Sequence, residues 1–156
     1  FALWLGAFYA LFFALMRFAG GWHDAYLAFI ARVSGVVLSI FESGVVVQDN
    51  IILTGESMFS LRVVTGCDPL HPTLVFIAGV LAMPAPWKRR AIGALSGIVF
   101  LFALNIVRIV SLYFVGKHWP ERFETAHLDV WQPLFMLAAL LAWFLWARWA
   151  LRPKKI

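Results

Sequence analysis

Long apolar runs constrain this chain more than any other feature of its sequence. Residues 1–18, 91–116 and 130–149 form three such runs, each with one charged residue. A helix needs about 20 mostly apolar residues to cross the hydrocarbon core of a bilayer. Of the 156 residues, 63% are hydrophobic and 13% are charged, whereas soluble domains have about 45–50% and 25%. We therefore expect an integral membrane protein.

The distribution of the basic residues favours a membrane over a nucleic acid as the partner of this chain. The net charge is +5, and the lysines and arginines concentrate at residues 88–90 and 152–155, directly beside apolar runs. This is the positive-inside pattern, which predicts that both clusters lie on the cytoplasmic side. We therefore exclude nucleic acid and expect the lipid bilayer itself as a partner.

The predicted fold class is an all-α polytopic membrane protein that forms one integral membrane domain, residues 1–156. It has about four transmembrane helices, one amphipathic interfacial helix, and a small extracytoplasmic β-hairpin before the cysteine-bearing helix. The predicted spans are residues 1–18, 70–84, 91–116 and 130–149. Residues 88–90 form a basic loop in this scheme, and residues 117–129 form a polar loop on the opposite side.

The amphipathic helix is predicted at residues 22–43. Arg32, Gly35, Ser39 and Glu42 recur at steps of three, four and three, which traces one stripe along a helix. We favour a helix lying in the membrane interface, because a spanning helix would bury Arg32 near the middle of the bilayer. A spanning helix is the alternative, and it changes only the side on which the N-terminus lies.

Residues 45–64 have the pattern of a β-hairpin, in which a turn at residues 54–57 follows the run 51–53. Leu61 and Val63 alternate with polar residues, which is typical of a strand with two different faces. A small sheet with open edges cannot lie in hydrocarbon, because its edge N–H and C=O groups would have no partners. The hairpin is therefore expected outside the lipid, immediately before Cys67.

Cys67 is the only cysteine, and Asp68 and Pro69 follow it. Asp-Pro is typical of an N-cap followed by the first helical residue, which would set Cys67 just outside the positive end of a helix dipole. A thiolate is stabilised at such a position, although the adjacent carboxylate opposes it. The alternative is that the cysteine packs as a small apolar residue. The histidines and the cysteine lack the spacing of metal ligands, so we expect no metal and no cofactor.

Asn105 and Arg108 are three residues apart and therefore share one face of the predicted span 91–116. A guanidinium within the membrane costs at least about 2.5 kcal/mol on insertion scales, so Arg108 should face a partner or a wet cavity. The structural alternative is an ion pair with Glu42 or Asp68 that only holds the bundle together.

His127 lies just before the last span, on the same predicted side as Cys67, and Asp129 follows two residues later. A cysteine, an arginine and a histidine at one membrane face are the groups that acyl transfer requires. The imidazole would take the thiol proton, and the guanidinium would stabilise the tetrahedral oxyanion or hold the substrate carbonyl.

Three segments together resemble the exosortase/archaeosortase family. A cysteine follows a hairpin and opens a span, Asn105-Ile106-Val107-Arg108-Ile109 lies in the next span, and Ala126-His127-Leu128 with Trp131-Gln132 opens the last. The short chain and its Pro84-Ala85-Pro86-Trp87 segment are most similar to the exosortase H branch. The resemblance implies a multi-pass cysteine transpeptidase, or thiol protease, of the bacterial inner membrane with its active site near the periplasmic face. Such an enzyme cleaves a C-terminal sorting signal (short motif, transmembrane helix, basic tail) from exported proteins and transfers them to an acceptor.

The resemblance also implies roles for individual residues. Cys67 would be the nucleophile, Arg108 the transition-state cation and His127 the general base, with Asn105, Asp68 and His71 as substrate-binding or supporting residues. The chain departs from the family pattern after the cysteine, where Asp68-Pro69-Leu70-His71-Pro72 stands, and His71 is a second candidate for the base. A purely hydrolytic membrane protease and a non-catalytic membrane scaffold are the alternatives.

Overall fold

The computed structural model describes residues 21–55 and 59–152. The chain divides into two compact units, Phe1–Asp68 and Pro69–Ile156. The predicted first span, residues 1–18, lies outside the described residues, and so do residues 56–58 of the predicted hairpin turn.

The first unit contains one helix and a small antiparallel sheet. Its elements are α1 (Trp22–Leu38), β1 (Val45–Gln48), β2 (Ile51–Thr54) and β3 (Ser60–Arg62). The strands pair in the order β1-β2-β3. The predicted hairpin is confirmed as the β2–β3 pair, in which Ile52 lies opposite Leu61.

Strand β1 was not predicted, although its sequence carries the signal for it. Three consecutive valines and Gln48 form the strand, and Asp49 and Asn50 then turn the chain from β1 into β2. Asp49 has a φ of 52°, in the left-handed region that Asn and Asp tolerate better than most residues. β-branched residues before such a turn are typical of a hairpin.

Helix α1 packs on the sheet through one buried face, which consists of Leu27, Ile30, Ala31, Ser34, Gly35 and Leu38. A Cβ at Gly35 would overlap the side chain of Val47, so the glycine allows β1 to approach the helix closely. The predicted polar stripe is therefore wrong at Gly35, which is buried. The helix ends at Leu38 instead of residue 43, so Ser39 and Glu42 lie beyond it. The error at Gly35 arose because a glycine fits a polar stripe and a tightly packed face equally well.

The second unit consists of three helices, α2 (Leu70–Ala82), α3 (Trp87–His118) and α4 (Pro120–Ala150). Helices α3 and α4 are long and apolar enough to cross a membrane. Helix α2 has 13 residues and is about 20 Å long, less than the hydrocarbon thickness of about 30 Å. Of the four predicted spans, two therefore correspond to described helices of spanning length.

Two predicted loops are helical instead. Residues 88–90 belong to the first turn of α3, which begins after Pro86, and the segment 117–129 is divided between the end of α3 and the start of α4. Pro120 stands at the first position of α4, and Glu121 and Glu124 follow in its first turns. Proline at the first position and carboxylates near the positive end of the dipole favour a helix there.

Small residues bring the three helices of the second unit together. At each of three glycines an added Cβ would collide with an aromatic ring of a neighbouring helix: Gly97 with Phe76, Gly93 with Trp146, and Gly79 with Trp143. Close approach of helices at small residues is typical of membrane proteins, in which apolar burial alone does not drive helices together.

Arg89 joins the start of α3 to the end of α4. Its Nη1 donates hydrogen bonds to the carbonyl oxygens of Ala150 at 2.6 Å and Arg152 at 2.8 Å. The indole N–H of Trp146 donates to the carbonyl of Arg89 at 3.0 Å. Residues 88–90 and Arg152 therefore lie at one end of the second unit, as the positive-inside pattern requires.

Candidate functional site

Cys67 lies in a turn directly after the sheet of the first unit. Its N–H donates to the carbonyl of Val64 at 2.9 Å, and Gly66 has a φ of 93°, a conformation that glycine adopts without strain. The thiol is half-buried and is not part of a disulfide. The sheet and this turn therefore present one partly accessible thiol.

Asp68 shapes this turn instead of capping the helix. The predicted N-cap is wrong by one residue, because Pro69 is the N-cap of α2 and no side chain caps that helix. The carboxylate, only 3% exposed, accepts a hydrogen bond from the N–H of Gly66 at 3.1 Å. Burial, and to a lesser degree the Asp68 charge, raises the pKa of Tyr26 to about 12. Asp68 thus contacts the cysteine turn and lies near a phenol of α1.

Asn105 and Arg108 lie together on the buried face of α3, 0% and 4% exposed, as their spacing predicted. Nη2 of Arg108 donates a long hydrogen bond of 3.5 Å to Oε1 of Gln132, and its guanidinium carbon is 6.0 Å from the ring centre of Phe135. Within the part of the chain that the structure describes, neither amide atom of Asn105 has a hydrogen-bond partner. A buried amide with unused donors and acceptors is costly, and it is typical of a functional region.

His127 lies in an irregular part of α4. Residues Ala126–Trp131 form a π-helical turn, and the regular α-helix resumes at Gln132. π-Turns are rare and are frequent at functional sites. The imidazole is half-buried, with its centre 5.9 Å from that of the Phe123 ring.

His127 and Arg108 interact electrostatically within the second unit. The imidazole precedes the apolar stretch of α4, which begins at Val130. Burial, and secondly the Arg108 guanidinium, lowers the pKa of His127, whereas Glu124 partly opposes the shift. A lowered pKa keeps the imidazole neutral at neutral pH, which is the form that accepts a proton.

The remaining predicted residues are distributed over both units. His71 is the second residue of α2 and is half-buried. Cys67 and Asp68 belong to the first unit, whereas Arg108, Asn105, His127 and His71 belong to the second. The second unit therefore brings Arg108 and His127 together, and a triad that includes Cys67 remains a prediction.

Gln132 is a residue of this site that sequence reasoning did not assign a role. It is the only uncharged amide or hydroxyl side chain in the apolar run 130–149. A polar side chain in such a run needs a partner, so its isolation was a usable signal.

Among the described residues, no group of three or more His, Cys, Asp or Glu side chains could hold a metal ion.

Comparison with known families agrees with the resemblance that the sequence motifs indicated. The sequence model described as transmembrane exosortase (EpsH type) matches residues 1–145 of the 156-residue chain. No curated protein and no solved structure matches the chain significantly. The family expected from the cysteine, the Asn-x-x-Arg segment and the Ala-His-Leu segment is thus confirmed. The chain is therefore a membrane protein of the transmembrane exosortase family.

Proposed function

We propose that this protein is a membrane-embedded cysteine transpeptidase of the bacterial inner membrane. It would cleave the C-terminal sorting signal of exported proteins through a thioester on Cys67 and transfer them to an acceptor. The family match supports a membrane transpeptidase or protease, and the cysteine mechanism is our inference from the residues of this chain. Hydrolysis by water instead of transfer would use the same residues.

The observation that carries the proposal is the arrangement of Arg108 and His127. A guanidinium in the apolar helix α3 is only 4% exposed, and its charge acts on an imidazole at the start of α4. Burying a guanidinium in an apolar helix is costly even when the charge is paired, so its presence beside a neutral histidine needs a reason. An oxyanion site with a general base supplies that reason.

The reaction would proceed in two acyl-transfer steps. His127 takes the proton of the Cys67 thiol, and the thiolate attacks the carbonyl carbon of the scissile peptide. Arg108 stabilises the tetrahedral oxyanion. When this intermediate collapses, the imidazolium protonates the leaving amine, and a thioester remains on Cys67. An acceptor nucleophile then loses its proton to His127, attacks the thioester and releases the thiol.

The orientation follows from the basic end of the second unit. Arg89 and Arg152 lie at the end opposite to the start of α4, where His127 stands. If the basic end faces the cytoplasm, His127 lies toward the periplasm, where an exported substrate would arrive.

Alkylation of the single cysteine tests this mechanism without knowledge of the substrate. The rate of Cys67 labelling by iodoacetamide would be measured against pH in the parent, in His127→Gln, and in His118→Gln as a control at an exposed histidine. Because a neutral imidazole takes up the thiol proton during the reaction, labelling of a Cys67–His127 pair has an apparent pKa below the ordinary thiol value of about 8.5. We expect an apparent pKa below about 8.5 for the parent and for His118→Gln, and an apparent pKa near 8.5 for His127→Gln.

Identical pH profiles in all three proteins would contradict a Cys67–His127 pair. That result would favour a membrane scaffold in which the cysteine only fills space. An apparent pKa of about 8.5 for Cys67 in the parent would also contradict the pair and favour the scaffold. If the pairing is present, the mass of the product from an anchored reporter distinguishes transfer from hydrolysis, because only transfer adds the acceptor to the new C-terminus.

A further inference from the structure

The π-helical turn in α4 has an identifiable local cause. Pro133 follows Gln132 and has no N–H with which to continue the helical hydrogen bonds. In a regular α-helix its ring would also collide with the carbonyl of the residue four positions earlier, Asp129. Widening the preceding turn, Ala126–Trp131, relieves this collision.

The turn also changes which side chains of α4 share a face. His127 and Gln132 are five residues apart. In an α-helix at 3.6 residues per turn, such residues point about 140° away from each other. In a π-turn the backbone bonds join residues five apart, so these two residues lie nearly one above the other.

The face created in this way is the one toward Arg108. Gln132 accepts a hydrogen bond from Nη2 of Arg108, and Phe135, one turn further along, lies under the same guanidinium. His127 is also within the electrostatic reach of this guanidinium. The charged groups that act on the imidazole include Arg108 from α3 and Glu124 from α4 itself.

We propose that the π-turn Ala126–Trp131 aligns His127 with Gln132, and that Gln132 is a positioning residue that holds the Arg108 guanidinium beside the imidazole. The amide oxygen contacts one edge of the guanidinium and so restricts its orientation relative to the imidazole. This inference rests on the proposed function for its effect on catalysis, but the alignment itself can be measured without any substrate.

The alignment predicts opposite effects of a deletion and an insertion. Both variants also carry Pro133→Ala, because the proline ring would otherwise oppose a regular helix. Deletion of Val130, which is 53% exposed, leaves His127 and Gln132 four residues apart. A regular α-helix then keeps them on one face, about 40° apart. Insertion of one alanine between Trp131 and Gln132 sets them six residues apart and turns them away from each other.

The test is the titration of His127 by NMR of the full-length protein in detergent, with labelled histidines and with His127→Gln for assignment. The expected result is that the deletion keeps the depressed midpoint of the parent, whereas the insertion raises it toward 6.5, the ordinary value for histidine. An insertion that leaves the midpoint unchanged, or a deletion and an insertion with equal effects, would overturn the alignment.

A second arm tests Gln132 itself by the processing rate of an anchored reporter, with the membrane level of each variant measured in parallel. Gln132→Leu should be about tenfold slower than the parent, and Gln132→Glu, which keeps an acceptor oxygen, should be less impaired than Gln132→Leu. Full activity of Gln132→Leu at normal protein levels would overturn the positioning role. If the parent processes nothing, the proposed function fails, and the titration alone decides whether the turn aligns the two residues.

Discussion

Replacing Arg108 by lysine separates a catalytic guanidinium from a structural charge. Lysine keeps the positive charge but does not have the planar fork, so it cannot donate two parallel hydrogen bonds or stack flat on a ring. The substitution removes the 3.5 Å hydrogen bond to Gln132 and the 6.0 Å approach to the ring of Phe135. The bond is long and the ring is at the outer limit of a cation–π interaction, so each contributes about 0.5–1 kcal/mol.

Loss of the hydrogen bond and the ring contact together should lower the free energy of unfolding by about 1–2 kcal/mol. For a chain of this size, that lowers the melting temperature by about 2–8 °C. Removal of an oxyanion donor, in contrast, costs about 100- to 1,000-fold in rate. We therefore expect Arg108→Lys to process an anchored reporter at least about 100-fold more slowly while most of the protein stays folded.

The assay compares Arg108→Lys with Arg148→Lys, a change at an exposed arginine in the last turn of α4. Processing is followed by gel shift, and folding by thermal unfolding in detergent. Processing within about threefold of the parent would refute the role given to Arg108. A loss of processing that merely follows the loss of folded protein would refute it as well.

Three further predictions concern packing and pH. Arg89→Met should lower the free energy of unfolding by about 2 kcal/mol, because it removes two charge-assisted hydrogen bonds to helix-end carbonyls. Arg148→Met is the matched control, and an equal loss of stability in both variants would contradict the contribution of these bonds. Gly97→Val should lower the free energy of unfolding by about 1–3 kcal/mol, measured by thermal unfolding, because the valine side chain collides with the Phe76 ring. Adding Phe76→Leu to this variant should restore part of the lost stability, and no recovery in the double variant would contradict the contact. Because the pKa of His127 is lowered in the folded chain, the unfolded chain takes up this proton first as pH falls. The free energy of unfolding should therefore decrease below pH 6.5. In denaturant titrations, His127→Gln should weaken this dependence on pH, and an unchanged dependence would contradict the lowered pKa of His127.

The sequence was most informative where one physical term dominates. The long apolar runs predicted α3 and α4, because no other structure satisfies backbone hydrogen bonds in lipid. The alternation around Leu61 and Val63 predicted the strand that is paired with β2. The spacing of three residues predicted that Asn105 and Arg108 share one face of α3. The cost of a buried charge predicted that Arg108 faces a partner, and Gln132 is one such partner.

Prediction from the sequence failed where one residue type suits two different local structures about equally well. Gly35 fits a polar stripe as well as a close contact with Val47, and only the packed structure decides between them. Asp68 could accept from the first N–H groups of the next helix or from the N–H of Gly66, and the structure shows the bond from Gly66. The π-turn follows from the effect of Pro133 on the preceding carbonyl groups, which a helical periodicity search does not include.

The central claim is that Cys67 meets His127, and a cross-link measures this directly. Because the chain has a single cysteine, His127→Cys creates one defined thiol pair, and His118→Cys provides a matched control. A disulfide requires Cα atoms within about 7 Å, and a short bis-thiosulfonate reagent extends that reach by a few ångströms. We predict rapid intramolecular cross-linking of residues 67 and 127 in membranes, read by mass, and much slower cross-linking of residues 67 and 118. Absence of the 67–127 cross-link in folded protein, or equal rates for both pairs, would contradict the proposed active site.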